Sequence, residues 1–353
     1  MHARWMPTDS AKPVVEDVTV DRSGASRPLS LPMMGAYIPM MTASALAAAG
    51  RIGLFEQLAK GPLASSDLAL FLGGSIVGME RLTDFLVALR YLERRGELIG
   101  NSPETMRWFT SRGVVDYGSG LAWTADVWNI MDDLSDAVAR GGPDRSLWER
   151  MLLQPHLGEG FSRYMRAFAQ HLSPDILAAV ECPRAATRLL DLGGSHGHHS
   201  MAFARANPEL SAVIVDLDSA LTGTKALIEE EGLHDRITIR PGDVRNGDWG
   251  ADYDVALYLS IAHNMSPDEN RKIFCQLADV IRPGGVLVIH DYPRETTPTL
   301  FETAFRLTLL VETGTRTYSY HELSEMLTSA GFSQPQLRVL APAEKGALII
   351  ARR

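Results

Sequence analysis

Apolar side chains change their spacing twice along this chain, which divides it into three textures. Residues 1–30 show little periodicity and mix Asp9, Glu16, Asp17 and Asp21 with Arg and Pro, which predicts a loose arm or a strap over a partner subunit. Helical spacing then takes over. Leu46, Ala49, Leu54 and Leu58 mark an apolar face over Ala43–Ala59, broken into two short helices by Gly50 and Gly53. Ser65-Ser66-Asp67 caps a short helix over Asp67–Leu72, and Leu82, Phe85, Leu86 and Leu89 place a third over Met79–Arg94. Glu97-Leu98-Ile99 and Arg107-Trp108-Phe109-Thr110 read as two short strands about a turn. Three helices and a small hairpin predict a winged-helix module over residues 31–113, better suited to dimerisation than to DNA because no helix in it is rich in Lys and Arg.

Residues 114–182 read as a helical connector with a loop at Gly141-Gly142-Pro143. It carries Trp123, Trp128, Trp148, Phe161, Tyr164, Met165 and Phe168, which suit core packing and also the roof of a pocket for a flat apolar ligand. From residue 183 to 353 the pattern is strand–helix alternation. Apolar runs at Arg188–Leu192, Ala212–Val215, Ile237–Arg240, Asp254–Leu259 and Val286–His290 flank helical stretches near 198–206, 219–231 and 267–281. Such runs predict a mostly parallel, doubly covered sheet of Rossmann-like α/β class. Leu337–Leu340 and Ala347–Ala351 read as a hairpin adding antiparallel strands.

Composition narrows the partners. Asp and Glu number 43 against 34 Lys and Arg, and no basic run stands out, which argues against a nucleic-acid face. No stretch approaches the roughly 20 apolar residues of a membrane span, and the first 30 residues lack the apolar core of a signal peptide. Cys182 and Cys275, far apart and without metal-type spacing, suit a reducing cytosol. A soluble, cytoplasmic protein is expected.

The chemistry centres on Leu189-Leu190-Asp191-Leu192-Gly193-Gly194-Ser195-His196-Gly197, a strand running into a glycine-rich turn and a helix. Sites for NAD, FAD and S-adenosylmethionine (SAM) all use such a turn. Acids at the strand ends sharpen the choice: Asp191 after the first strand, Asp216 closing Val-Ile-Val-Asp before Leu217, and Asp243 in Pro-Gly-Asp-Val244. Ligands of open α/β sheets lie beyond the carboxyl ends of the strands, so the three should converge. Asp216 suits the two hydroxyls of a ribose, Asp243 the amino group of adenine, and Asp191 the glycine loop and the amino-acid end of the ligand. Convergent acid suits a sulfonium and repels pyrophosphate, which favours SAM over NAD(P). Asp191, Gly193, Gly194, Gly197, Asp216, Leu217, Asp243 and Val244 form the expected cofactor set.

Together with Arg282-Pro-Gly-Gly285, Gly314-Thr-Arg-Thr317 and Ala330-Gly331-Phe332, these motifs recur in an order that resembles the small-molecule O-methyltransferases, which include plant caffeic-acid and bacterial anthracycline enzymes. The resemblance covers nearly the whole chain from about Met33. It implies a class I methyltransferase fold, SAM as methyl donor, an interlocked homodimer and a small aromatic hydroxyl acceptor of secondary metabolism.

His263, in Leu259-Ser-Ile-Ala-His-Asn264, follows the fourth strand on the ligand edge, and its type suits proton abstraction near neutral pH. The resembled family carries its catalytic base here, usually followed by Asp where this chain has Asn264. Asp291 falls where the family has a Glu that steers the base, and the family's second such Glu falls at Thr315. A dyad of His263 and Asp291 is therefore expected. Met165 matches a position packing against the acceptor ring, with Tyr164, Phe168, Asn264, Trp128 and His171 as further wall candidates. His196, His198 and His199 read as helix-start and surface residues, His196 nearest the donor. A metal held by His263, His290 and Asp291 is disfavoured, because neighbours on a strand point to opposite faces. The competing readings are C-methylation of an α-keto acid, with or without a metal, a SAM-binding winged-helix regulator, and a relative that has lost methyl transfer.

Overall fold

The structure is a computed structural model, described for residues 34–183, 185–294, 299–333 and 335–353; the arm expected over residues 1–30 lies outside them. The chain divides into two compact units between Trp128 and Asn129.

The first unit holds helices α1 (Met34–Arg51), α2 (Leu54–Ala59), α3 (Ser65–Leu72), α4 (Ile76–Ala88) and α5 (Pro103–Trp108) with strands β1 (Leu63–Ala64), β2 (Leu92–Arg95) and β3 (Leu98–Asn101). The strands form an antiparallel sheet in the order β1-β3-β2. Leu54, Phe55, Leu68, Leu86, Leu92 and Ile99 fill the core between sheet and helices. Two expectations are corrected here. The helix expected over Met79–Arg94 stops at Ala88, because Arg90 turns to φ 63° and Tyr91 N–H closes back onto the Leu86 carbonyl, releasing Leu92–Arg95 as a strand. Of the strand expected at Arg107–Thr110, Arg107 and Trp108 end α5 instead, and Phe109 makes a single antiparallel bridge to Asp116. Ser102 caps that helix by accepting from Thr105 N–H, and Pro103 supplies its first turn. The hairpin is thus β2–β3.

Helix α6 (Ala122–Met131) spans the division. The second unit continues with α7 (Leu134–Arg140), α8 (Leu147–Leu153), α9 (Pro155–Ala179), β4 (Arg188–Leu192), α10 (His198–Ala206), β5 (Ser211–Asp216), α11 (Thr224–Glu230), β6 (Ile237–Pro241), β7 (Tyr253–Leu259), α12 (Pro267–Val280), β8 (Ile281–Asp291), α13 (Leu300–Glu312), α14 (Tyr320–Ser329), β9 (Gln336–Val339) and β10 (Ala347–Arg352). Its seven-stranded sheet runs β6-β5-β4-β7-β8-β10-β9, parallel as far as β8 and antiparallel at β10 and β9. Every residue of β7 is buried, as expected of a strand covered on both faces. One face packs on Phe274, Leu277, Leu323 and Leu327 from α12 and α14. The other packs on Leu172 and Ile176 of α9 and Met201 and Phe203 of α10. Helices α8, α12, α13 and α14 each begin with a reciprocal capping box, such as Ser266 with Glu269.

The order reversal between β4 and β7 places the carboxyl ends of β4 and β5, and the turn after β7, at one edge. Arg282-Pro-Gly-Gly is structural: the guanidinium of Arg282 grips Asp254 at 3.0 Å, and Asp254 also accepts from Thr187 N–H and Arg188 N–H, which pins the start of β4 to that of β7. Among the described residues no helix is long and apolar enough to cross a membrane, and both cysteines are unpaired.

Candidate active site

The glycine turn after β4 is held from three sides. Gly193 N–H donates to the Val215 carbonyl at 2.8 Å, Ser195 N–H to the Asp216 carboxylate at 2.9 Å, and the Thr224 hydroxyl to the Ser195 carbonyl at 2.9 Å. Gly193 sits at φ 79°, and any side chain there would run into Ile261. A Cβ on Gly194 would lie 2.6 Å from the carboxyl carbon of Asp191. The turn therefore requires glycine to bring its backbone close to both the sheet edge and the acid. Gly197 caps α10.

Three expected acids do converge. Asp191 is buried, accepts from the Ser200 hydroxyl at 2.7 Å, and is pushed up to about 6 by burial, with the charge of Asp216 adding to the rise. Burial likewise lifts Asp216 to about 6, against hydrogen bonds from Leu217 N–H at 2.7 Å and Ser195 N–H, with Asp243 adding to the rise. Asp243 instead is held low by Arg245, which donates Nε to Oδ1 at 2.9 Å and Nη2 to Oδ2 at 2.6 Å. Asp243 is therefore engaged by a cation, whereas sequence alone left it free for a ligand. Leu217 is exposed beside Asp216, and Val244 is buried beneath Asp243.

The histidines of the turn do not lie at the surface. His196 is buried, its ring bonded to the Met165 carbonyl and tilted against the ring of His199 at 6.4 Å. His199 Nδ1 meets the Ser173 hydroxyl at 2.9 Å. On β8 His290 is fully buried, Nδ1 against the Ser260 hydroxyl at 3.1 Å and Nε2 against the Lys345 carbonyl at 2.7 Å. Burial depresses all four: His196 to about 3, His198 to about 4, His199 well below its ordinary value, and His290 in the same direction. The unfolded chain takes up these protons near pH 6.5 while the folded one resists them, so the histidines withdraw stability as pH falls below that value. His196 and His198 each withdraw about 2 kcal/mol by pH 5, while Asp191 and Asp216, which protonate more readily when folded, return about 1 kcal/mol each and Glu312, lifted by burial to about 7, returns about 2 kcal/mol. These nearly cancel, and His199 and His290, depressed in the same direction as the other histidines, leave a net loss. Urea unfolding at pH 7.5 and pH 5 is expected to show a lower midpoint in acid; an equal or higher one would contradict this account.

His263 lies in the short helical turn after β7, where Ser260 adopts φ 58° and its N–H donates to the His290 carbonyl. Its Nδ1 lies 2.9 Å from Asp291 Oδ1, and its backbone N–H donates to Asp291 Oδ2 at 3.1 Å. Both side chains are nearly buried, at 8% and 3% exposure. Burial pushes the Asp291 carboxyl up, but the His263 imidazole beside it and the hydrogen bonds it receives hold it below its ordinary value. This carboxylate fixes the ring with Nδ1–H toward Asp291 and leaves Nε2 as the basic nitrogen. His290 faces the opposite side of β8, as strand alternation requires, and among the described residues no cluster suits a metal. Asn264 reaches back to the Ser260 carbonyl at 3.4 Å, and Thr315 bonds Thr313 at 2.5 Å.

Wall residues divide. Tyr164 and Met165 lie on α9, Tyr164 a third exposed. Phe168 packs into the core behind the sheet, 6.1 Å from the ring of His290, and His171 lies within the field of Lys345 and Asp175; neither joins His263. Trp128, half exposed, belongs to the first unit. Three residues of the site were not legible in sequence. Phe305 of α13 sets its ring edge-on to His263 at 5.1 Å and lies 4.8 Å from Tyr292. Glu312, at the end of the same helix, acts on the charges of both His263 and Tyr164. Arg166 of α9 acts on His196 and His198, and its buried Nε has no partner among the described residues. Recognising α13 was the missing step: Phe305 and Glu312 are seven residues apart, two turns along one helix face.

Known proteins resemble this chain in sequence and in fold. A family model described as an O-methyltransferase domain matches residues 131–333. A 3-hydroxy-5-methyl-1-naphthoate 3-O-methyltransferase of Streptomyces sahachiroi is 26% identical over 314 residues, 85% of this chain and 89% of that protein. An L-tyrosine C(3)-methyltransferase of Streptomyces lavendulae is 27% identical over 197 residues, 54% of this chain, which spans about half (53%) of that protein's length. The fold matches human N-acetylserotonin methyltransferase, solved with SAM, at a TM-score of 0.81 and 19% identity, covering 91% of this chain and 96% of that one. With more than half of its length matched by that family's model, this chain belongs to the O-methyltransferase family of SAM-dependent enzymes.

Proposed function

We propose that the protein transfers a methyl group from SAM to a hydroxyl of a small aromatic acceptor, with His263 as general base held by Asp291. The observation that carries this is the buried imidazole whose Nδ1 is taken by a carboxylate, leaving Nε2 for an acceptor proton.

The residues present fit the donor. Asp216, lifted by burial and keeping lone pairs beyond its two loop N–H groups, suits a ribose diol. Asp191 and its glycine loop suit an ammonium, and the buried Nε of Arg166, unpartnered among the described residues, suits a carboxylate. Leu217, Asp243 and Val244 border the place for the base. When bound, SAM supplies an electrophilic methyl on a sulfonium. The protein's part is to orient the acceptor oxygen and take its proton on Nε2, while Asp291 offsets the charge on the imidazolium. Phe305 and Tyr292, with Met165 and Tyr164, supply apolar surface for a ring. The acceptors named in the relatives, a hydroxynaphthoate and tyrosine, are both hydroxylated aromatics.

The protein is also inferred to work as a cytoplasmic homodimer. Leu70, Phe71, Ile76 and Val77 stand 51–78% exposed on α3 and at the start of α4, an apolar face that suits a second copy. Light scattering in solution is expected to give twice the chain mass.

Incubation with methyl-labelled SAM and a panel of phenols and naphthols is expected to yield O-methylated product. Product analysis separates a methoxyl from a ring methyl. Label only on carbon, or on nothing across the panel while SAM still binds, would overturn the reading.

A further inference from the structure

Three segments bring three polar side chains to one place in the second unit: Tyr164 from α9, His263 from the turn after β7, and Glu312 from the end of α13. An aromatic wall stands beside them. Phe305 meets His263 edge-on at 5.1 Å, Tyr292 lies 4.8 Å from Phe305 and 5.2 Å from Phe301, and Phe301 keeps 36% of its surface open. Phe301, Phe305 and Glu312 follow one another at helical spacing, so a single face of α13 carries both the rings and the carboxyl.

Glu312 is the unexplained member. Among the described residues it has no hydrogen bond and no ion pair. The cation it could meet is His263, but a histidine that receives the acceptor's proton on Nε2 must be neutral when the acceptor binds, and its other nitrogen belongs to Asp291. The carboxyl also sits where the α13 carbonyls point outward, and a helix C-terminus disfavours a negative charge and favours a positive one. Carboxyl, helix end and ring faces thus favour a cation at the same spot.

We propose that Glu312 is a specificity residue that receives a basic nitrogen of the acceptor, so that the acceptor is an aromatic hydroxyl compound carrying an amine. This rests on the methyl-transfer reading above and narrows its substrate class. The shift on Glu312 agrees: burial pushes its carboxyl up to about 7, a rise that His263 offsets only in part. An ammonium beside it would restore the ionised form.

The test uses three phenols of matched length: tyramine, tyrosol and 4-propylphenol, ending in an ammonium, a hydroxyl and a methyl. Each is titrated calorimetrically into full-length wild-type and Glu312→Gln protein saturated with S-adenosylhomocysteine. Wild type is expected to bind tyramine about tenfold more tightly than either neutral phenol. In Glu312→Gln that preference disappears while 4-propylphenol binds as before, and Glu312→Asp recovers part of it. Tyrosol binding as well as tyramine, an amine preference that survives in Glu312→Gln, or equal loss of all three ligands in that variant would each overturn the assignment. Methyl transfer separates the two claims. O-methylation of 4-propylphenol with no amine preference retires Glu312 alone, whereas an amine preference with no O-methylation of any of the three retires the reading of the reaction.

Discussion

Replacing His263 by alanine lowers kcat about 10²–10⁴-fold, the usual worth of a positioned base, while SAM affinity measured by calorimetry stays within about twofold. The expectation rests on the bond at Nδ1: Asp291 takes that nitrogen at 2.9 Å, and the other is left for the acceptor. Removing the ring also strands Asp291, which is 3% exposed and accepts from His263 Nδ1, so alanine costs stability as well as rate. His263→Asn separates the two effects. Its amide can still donate to Asp291, so melting temperature should recover while kcat stays low. Asp291→Asn keeps the shape of the pair and removes the charge that steadies the imidazolium, and a smaller fall in kcat is expected. Wild-type turnover in His263→Asn would show that the proton leaves by another route and that positioning of the acceptor supplies the catalysis.

The second large effect lies at the donor site. Asp216→Ala is expected to weaken SAM binding about 100-fold, because two hydrogen bonds to a charged acceptor are lost together. The ligand-free protein should respond differently. Asp216 is held ionised at neutral pH against burial and against the nearby charge of Asp243, an arrangement unfavourable to the folded state until donors arrive. Asp216→Asn, which keeps the size, is therefore expected to melt no lower than wild type without SAM and to gain less on its addition. Unchanged SAM affinity in either variant would mean that the ribose lies elsewhere.

The relation between these two sites explains a feature of the glycine turn. Asp191, Asp216 and the turn backbone are fixed by β4 and β5, whereas His263 and Asp291 are fixed by β7 and β8. Methyl transfer needs the acceptor oxygen in line behind the methyl group, so the spacing of adjacent strands carries the alignment. Ile261, which would collide with any side chain at Gly193, adds a side-chain contact between the two halves of the site to the pairing of β4 with β7.

Much of this was written in the chain itself. Apolar runs bounded by helical stretches placed β4 to β8 within a few residues, because a strand covered on both faces must be apolar almost throughout. The acids at strand ends and the glycine turn were legible for the same local reason: a backbone that approaches a ligand needs glycine, and a strand end fixes where the next residues emerge from the sheet. His263 and Asp291 were found through motif order and strand position. Local chemistry also decided where expectation failed. Arg90 in a left-handed conformation and the Ser102-Pro103 cap converted expected helix to strand and strand to helix, and both are effects of single residues that apolar periodicity does not weigh.

What remained hidden depends on distance through space. Phe305, Glu312 and Arg166 belong to helices whose own patterns say only that they are amphipathic, and their roles appear when α13 is laid beside His263 and α9 beside the glycine turn. Asp243 looked free until Arg245 folded back on it, and His196, His198 and His199 read as surface residues until α9 and α10 enclosed them. Sequence by itself determined the fold, the edge of the sheet where the glycine turn and the acids gather and the residues that strands carry there, since these arise from periodicity and local backbone demands. Only the tertiary structure decided which charges are paired, which are buried and which lie side by side, because those are set by neighbours far apart in the chain.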